Sequence, residues 1–355
     1  MYLNELNLKD FRNYESTCLR FDRGVNYVIG ENAQGKSNLI EAIYYLSTGR
    51  SFRTNRVANL VRWGRRAFRL GAAVGEGESA SSVNLSYSGD GVSLTIDGWR
   101  ARKMGDLIGI LNTIIFCPED LYIVKGSPYL RRRFIDILIS QLYRPYLVGL
   151  ARYGRVLRQR NEAIRRGERE LYHWDRQLLE CGLEVMKVRA RYIERLGTEG
   201  RAAYSGIRPG ETLDLAYDSL YSKIQDGQEL GYREAMMSVR DAEFRRGTTI
   251  VGPHRDDIGI TIDGRDARYF ASDGQRRAVI IALKYAQFVL AREVQGSAPV
   301  LLIDDPFAEL DIERRAAVMP FFSKGVQCII TSLGEEGLLR GKRFRVDGGR
   351  AEEIA

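Results

Sequence analysis

The sequence predicts an α/β fold that is split along the chain by an inserted, mainly helical lobe. Three observations predict it. Near the start, the short strand Val25–Ile29 ends at Gly30 and is followed by a glycine-bearing loop and an apolar helical pattern. About 260 residues later, Val300–Ile303 is a four-residue apolar run followed by two aspartates, as expected of a buried central strand. Between the two, apolar residues recur at helical spacing.

The elements follow in order. Residues 3–8 alternate, with Leu3, Leu6 and Leu8 among polar neighbours, and read as a strand. After the loop, Leu39, Ile40, Ile43, Tyr44 and Leu46 mark a helix. Residues 82–87 and 92–96 flank Ser88-Gly89-Asp90-Gly91, a hairpin signal. Residues 112–117 form another apolar strand, closed by Pro118. Ile135, Leu138, Ile139 and Leu142 then make an i, i+3, i+4, i+7 stripe, and Pro145 breaks or kinks that helix. Leu179, Leu183, Met186, Ala190 and Ile193 repeat at spacings of 4 and 3, which fits a short antiparallel arm or a packed helix of a globular lobe. Pro209 lies in a loop that leaves this lobe, between Gly206 and Gly210. Strand-and-helix alternation returns after Ile250, with residues 258–262 and 268–270 around the turn Asp263-Gly264. A long helix over 275–294, the acidic strand, a helix over 312–322 and the strand 327–330 complete the chain. The division expected is 1–124 and 251–355 for the two parts of the α/β domain and 125–250 for the insertion.

Composition narrows the function classes. The chain has 355 residues, 44% hydrophobic and 28% charged, which excludes a disordered or collagen-like protein. No run of 18 apolar residues occurs, and residues 1–10 carry Glu5 and Asp10, unlike a signal peptide. Four scattered cysteines and two histidines argue against a zinc site or disulfide framework, and a cytoplasmic setting is expected. The net charge is +8, and 45 of the 54 basic residues are arginine. Residues 129–170 hold eleven Arg and four acids, a local +7 that suggests a polyanion such as nucleic acid.

Three motifs carry the chemistry. Gly30-Glu31-Asn32-Ala33-Gln34-Gly35-Lys36-Ser37 is a G-x-x-x-x-G-K-S phosphate loop in the strand–loop–helix context that gives it meaning. Its glycines let successive N–H groups face one anion, Lys36 reaches the β- and γ-phosphates, and Ser37 can ligate Mg2+. Asp304 is delivered at the C-terminal end of an apolar strand, where it would hold Mg2+ through water, and Asp305 would orient or deprotonate the attacking water. Ser272-Asp273-Gly274-Gln275 stands before a helix and offers donors to a γ-phosphate, or is an ordinary N-cap. The wide separation of the first two motifs suits the ABC-type ATPases of chromosome structure and repair, so the expected fold is an ABC-type P-loop ATPase head split by the helical lobe.

With these residues in hand, the chain resembles the RecF family of bacterial recombinational repair ATPases. The resemblance is carried by Phe11-Arg12-Asn13-Tyr14, Gly49-Arg50-Ser51-Phe52-Arg53-Thr54 and Phe116-Cys117-Pro118-Glu119-Asp120-Leu121. It extends over Lys125-Gly126-Ser127-Pro128, Arg131-Arg132-Arg133-Phe134, Arg158-Gln159-Arg160-Asn161, Gly252-Pro253-His254-Arg255-Asp256-Asp257 and Pro306-Phe307-Ala308-Glu309-Leu310-Asp311. It implies an ATP- and Mg2+-dependent protein that binds DNA at single-strand gaps and stalled forks, works with RecR and RecO to load recombinase, and supports the SOS response. It implies a weak, DNA-stimulated ATPase and a nucleoid-associated, cytoplasmic location without a membrane partner. It also implies an ATP-induced homodimer in which Ser272, Gly274 and Gln275 serve the nucleotide held by a second copy. Arg12 and Asn13 would lie near the nucleotide, and Glu119 near the metal. Two residues depart from the family pattern. Pro306 removes a backbone donor beside Asp305, and Asp273 places negative charge in a signature that faces phosphate. Either would slow turnover or weaken the closed dimer. The strand 327–330 is followed by Thr331 and Ser332 where a switch histidine is absent, and His254 reads as structural.

Among the arginines, Arg131, Arg132 and Arg133 cannot share one helix face, so at least one pairs with an internal acid. Arg158, Arg160, Arg165 and Arg166 are the expected phosphate contacts. No aromatic-rich platform for single strands is evident, so sequence-neutral, salt-sensitive binding dominated by duplex backbone is expected, with gap junctions added by what the resemblance implies. The competing expectations are a P-loop phosphotransferase acting on a small substrate and a passive DNA scaffold that uses ATP only for stability.

Overall fold

The computed structural model describes residues 2–75, 80–223, 228–304, 325–334 and 340–354. In chain order the strands are β1 (Leu3–Phe11), β2 (Tyr14–Arg20), β3 (Val25–Ile29), β4 (Phe68–Val74), β5 (Ser81–Ser88), β6 (Gly91–Ile96), β7 (Trp99–Arg100), β8 (Thr113–Phe116), β9 (Leu213–Asp218), β10 (Asp257–Ile262), β11 (Arg265–Asp266), β12 (Val300–Ile303), β13 (Cys328–Ser332), β14 (Lys342–Asp347) and β15 (Arg350–Ile354). The helices are α1 (Lys36–Thr48), α2 (Leu121–Lys125), α3 (Pro128–Leu142), α4 (Arg144–Arg165), α5 (Tyr172–Ile207), α6 (Leu220–Lys223), α7 (Gln228–Ser238), α8 (Arg240–Arg246), α9 (Ala267–Phe270) and α10 (Asp273–Gln295).

The chain forms two compact units, Met1–Asp120 with Gln287–Ala355, and Leu121–Ala286. The first unit holds two six-stranded sheets. One is antiparallel, in the order β2-β1-β4-β5-β6-β7, and the other runs β15-β14-β3-β13-β12-β8. In the second sheet β14, β3, β13, β12 and β8 are parallel, and β15 is added antiparallel at the edge. Helix α1 is apolar almost all round because both sheets cover it: Leu39, Ile40, Ile43 and Leu46 join one core with Leu6, Leu70, Leu302 and Ile329. A helix buried on every side shows no polar face. β12 is short and continuous in Val, Leu and Ile, as expected of a strand buried on both faces, and β3 is buried likewise although it carries Asn26, whose amide donates to the carbonyls of Asp22, Gly24 and Cys328.

The second unit is mainly helical. α3 ends at Leu142 and α4 begins at Arg144, with Pro145 in its first turn, where its missing N–H costs nothing. α4 and α5 form an antiparallel helical hairpin: Arg160 pairs with Asp175 and Arg152 reaches Glu180 as the two helices run in opposite directions. At 36 residues α5 is about 54 Å long. A three-stranded antiparallel sheet, β11-β10-β9, completes the unit.

Two expectations change. Residues 251–286 belong to the second compact unit, not to the C-terminal part of the first, because β10 pairs with β9 along its whole length and Asp257 is held by Arg131. Residues 268–270 form a helical turn, α9, where the hairpin reading placed a strand partner; Asp266 caps it by accepting the Arg268 N–H at 2.8 Å. Asp305, Pro306, the rest of the 306–311 stretch and the helix expected over 312–322 lie outside the described residues. Among the described residues, no helix is long and apolar enough to cross a membrane.

Candidate functional site

The phosphate loop joins β3 to α1. Gly35 has φ +120° and is the residue before the helix, where an added Cβ would lie 2.5 Å from the Asn13 side chain. Gly30 is as constrained, since a Cβ there would sit 2.3 Å from the Val346 carbonyl oxygen. Both glycines of the motif are therefore demanded by close packing as well as by the loop's shape. Lys36 is buried and folds back across the loop, donating to the carbonyls of Gly30 at 2.5 Å and Glu31 at 2.9 Å. Glu31, Asn32 and Ala33 form the exposed rim, with Ala33 at φ +64°.

The loop is braced from behind. Asn13 Nδ2 donates to the Gln34 carbonyl at 2.7 Å, and its Oδ1 accepts from Asn38 Nδ2 at 2.8 Å. Tyr14 donates its hydroxyl to the Gly35 carbonyl at 3.0 Å. From the β14–β15 turn, the Gly349 N–H donates to the Gln34 carbonyl at 3.0 Å and the Gly348 N–H to Gln34 Oε1 at 2.7 Å. Arg12, in the β1–β2 turn, is bound in bidentate fashion by buried Glu41, with both contacts at 2.8 Å, and Glu41 also accepts from Ser51. Thus Arg12 and Asn13 are near the loop as the motif implies, and the bonds they make fix its frame. Tyr14, Glu41, Gly348 and Gly349 are additional members of that frame. Phe11-Arg12-Asn13-Tyr14 signals the first of them; the turn residues Gly348 and Gly349 are readable as a turn, but its landing place more than 300 residues upstream is not.

The acidic strand completes the site. Ser37 Oγ donates to Asp304 Oδ1 at 2.8 Å although 267 residues separate them, and Thr331 Oγ1 donates to the same oxygen at 3.2 Å. Burial raises the Asp304 carboxyl above the usual carboxylate range against these two hydrogen bonds, and the nearby Glu119 charge raises it further. Glu119 Oε2 is buried with no hydrogen-bond partner. Two carboxylates and a hydroxyl gathered at the end of a phosphate loop, one oxygen unsatisfied, fit a divalent cation shared with phosphate oxygens; Mg2+ takes few protein ligands and keeps its waters. The residues Ser37, Asp304 and Glu119 therefore suit the metal role expected of them.

The tetrapeptide 272–275 is a reciprocal capping box. The Gln275 N–H donates to Ser272 Oγ at 3.2 Å, and the Ser272 N–H donates to Gln275 Oε1 at 2.9 Å. Gln275 Nε2 also donates to Glu211 at 3.1 Å. Gly274 follows in the first turn, where no side chain screens the N-terminal backbone. Asp273 is exposed and paired with Lys125 at 2.8 Å and Arg276 at 3.1 Å, which hold its carboxyl below the usual range. Its negative charge is largely compensated within the second unit.

The arginines divide by burial. Arg160 is fully buried, with Nε on Asp175 at 2.7 Å, Nη2 on Glu243 at 2.7 Å and Nη1 on Thr249 at 2.7 Å. It cannot contact DNA, which corrects that expectation. The cause is its place on the inward stripe of α4, in register with Tyr153, Val156, Ala163 and Ile164. Arg158, Arg165 and Arg166 are exposed; the last two share Glu162. Arg131 is the internal partner expected of its triplet, bound in bidentate fashion to Asp257 at 2.7 and 2.8 Å.

The loop 252–257 is internal. His254 Nδ1 meets the Tyr153 hydroxyl at 2.5 Å and Nε2 meets the Thr249 carbonyl at 3.1 Å, and burial pushes its pKa down to about 4. Neutral imidazole donates through one nitrogen and accepts through the other, so both bonds are made. His254 is structural, as its setting predicts.

The chain is similar to known proteins of one family. The model of the RecF/RecN/SMC N-terminal domain family matches residues 2–345. The protein of Clostridium novyi (strain NT) named DNA replication and repair protein RecF is 36% identical, over 94% of this chain and 93% of its own length. Its namesake in Bacillus subtilis (strain 168) is 36% identical over 98% of this chain and 99% of its own. A solved structure of the recombination mediator protein RecF with ATP, in the RecFOR pathway, superimposes with a TM-score of 0.94 at 30% identity, covering 100% of this chain and 98% of that one. The Smc head domain of Pyrococcus furiosus shares the fold alone, with a TM-score of 0.57 at 18% identity.

Proposed function

The chain belongs to the RecF family, and from that premise we propose that it is an ATP-switched DNA-binding protein of recombinational repair. The observation that carries this reading is the junction of Ser37 and Asp304 at the mouth of a braced phosphate loop. ATP would displace the Gly30 and Glu31 carbonyls from Lys36, which then reaches the β- and γ-phosphates. Ser37, Asp304 and Glu119 would hold Mg2+, which neutralises phosphate charge when bound. Asp305 follows Asp304 in sequence and would orient the attacking water. Ser272 accepts the Gln275 N–H and so keeps its own hydroxyl hydrogen for a γ-phosphate presented by a second copy. The cycle is that ATP pairs two copies, the pair grips DNA backbone at gaps and forks, and slow, DNA-stimulated hydrolysis resets it. RecR and RecO are the expected partners in loading recombinase, with the SOS response downstream and the bacterial nucleoid as the setting.

Sedimentation combined with DNA binding tests the cycle. ATP is expected to convert monomer to dimer and to raise DNA affinity in the wild type, and Ser272→Arg should abolish both while nucleotide still binds. A wild type that remains monomeric at saturating ATP would sink the proposal.

A further inference from the structure

Trp63 is 99% exposed, more than any other large hydrophobic side chain among the described residues. It lies within residues 50–70, which contain seven Arg and no Asp or Glu. That is the same +7 as residues 129–170, in half the length. The indole is presented on a fixed turn. The Arg65 N–H donates to the Arg62 carbonyl at 2.9 Å, with Trp63 and Gly64 at the centre and Gly64 at φ +78°. A type II turn needs that left-handed angle at its third residue, and glycine adopts it freely. The Arg62 N–H donates to the Asp10 carbonyl at 2.8 Å. The Asp10 carboxylate lies 3.6 Å from Arg62 and 3.4 Å from Arg65, and Glu15 takes Arg62 at 3.1 Å. Two acids of the β1–β2 hairpin therefore pin the turn. Arg56, Arg66 and Arg69 are exposed and pair with no carboxylate among the described residues.

A flat apolar ring held in water on a turn within an acid-free, arginine-rich stretch matches a ligand with a flat apolar face and flanking negative charge. A nucleotide has both, but a base inside a duplex hides its face in the stack. An unpaired base exposes it, and stacking on an aromatic side chain is indifferent to base identity. We propose that Trp63 stacks on an unpaired base of single-stranded DNA beside a duplex, with Arg56, Arg66 and Arg69 on the adjoining phosphates. The assignment rests on the DNA-binding reading above and sharpens it, because it gives the first unit a contact that separates a gap from continuous duplex.

The test uses the full chain with Trp63 as its single tryptophan (Trp99→Phe, Trp174→Phe), titrated with a gapped duplex and a blunt duplex of equal length. Gapped DNA should quench the emission and blunt DNA should not. In parallel, Trp63→Ala should weaken binding to gapped DNA about tenfold, the loss of one stacked base, without changing affinity for blunt duplex, and Trp63→Phe should keep most of it. Equal response to both DNAs, or Trp63→Ala matching wild type on gapped DNA, overturns the assignment but leaves ATP-switched duplex binding intact. Loss of ATP-driven pairing in Trp63→Ala with DNA binding unchanged overturns it in favour of a protein contact. Failure of the wild type to bind either DNA overturns both proposals.

Discussion

The loops 30–37 and 252–257 are comparably rich in glycine and polar residues, yet the fold uses them in opposite ways. The first is braced from behind by Asn13, Tyr14 and the Gly348–Gly349 turn, and its rim of Glu31, Asn32 and Ala33 faces solvent. The second is consumed from all sides. Arg189 donates to the Pro253 carbonyl at 2.6 Å, Tyr217 donates to Asp256, Arg132 donates to the Asp256 carbonyl, and Arg131 grips Asp257. An added Cβ on Gly252 would lie 2.4 Å from the Tyr232 hydroxyl. A distinctive motif is therefore not by itself a site. What separates a site from architecture is whether its polar groups have spent their hydrogen bonds inside the unit.

The largest effect should come from breaking the internal loop. Arg189 is almost fully buried and serves Asp136 at 2.9 and 3.0 Å as well as Pro253 and Asp256. Arg189→Ala removes the buried guanidinium that binds Asp136 and faces Asp256, a loss of about 3–5 kcal/mol of stability. Urea unfolding should show it, whereas Arg165→Ala, an exposed pair, should shift stability by less than about 1 kcal/mol. Equal effects of the two variants would contradict the contrast.

Next in size is Lys36→Ala. Lys36 donates to the Gly30 and Glu31 carbonyls of its own loop, bonds that phosphate oxygens would replace. Calorimetric titration with ATP should show affinity reduced about 100-fold, as for loss of charge-assisted bonds to phosphate. A large fall in melting temperature with unchanged affinity would reverse the assignment of the two loops.

How far the sequence disclosed this contrast depended on burial. β3, β12 and the β5–β6 hairpin were legible because the strand–loop–helix context of the phosphate loop, an apolar run and a Gly-Asp-Gly turn leave little choice. β4 was not: Phe-Arg-Leu-Gly-Ala-Ala-Val contains poor strand formers, and only its place between β1 and β5 makes it a strand. The phosphate loop, Asp304 and the capping serine were readable from spacing and context. The fate of individual arginines was harder, because Arg160 and Arg165 are chemically identical. The signal for Arg160 lay in its register with Tyr153, Val156 and Ala163, an apolar stripe that a cation interrupts only when acids from other elements meet it. Those acids, Asp175 and Glu243, are distant in sequence, and no local pattern announces them.

The smallest effect concerns pH, and it probes the internal loop alone. Burial lowers His254 to about 4 and raises Asp256 to about 6. On acidification below the ordinary histidine value the unfolded chain takes up a proton that folded His254 refuses, so this group's contribution to stability falls from about pH 6.5 and is lost by about pH 4. Asp256 acts in the opposite sense: the folded state takes up a proton near pH 6 that the unfolded carboxylate does not accept until about pH 4, so stability is gained over that range. The two contributions oppose each other across the same window. Asp256→Asn removes the gain and should steepen the loss of stability between pH 6 and 4 by about 2 kcal/mol relative to wild type. His254→Gln should make the profile shallower by a similar amount. Melting temperatures at half-unit pH intervals measure both slopes, and parallel curves for the three proteins would show that neither group is shifted by burial in this loop.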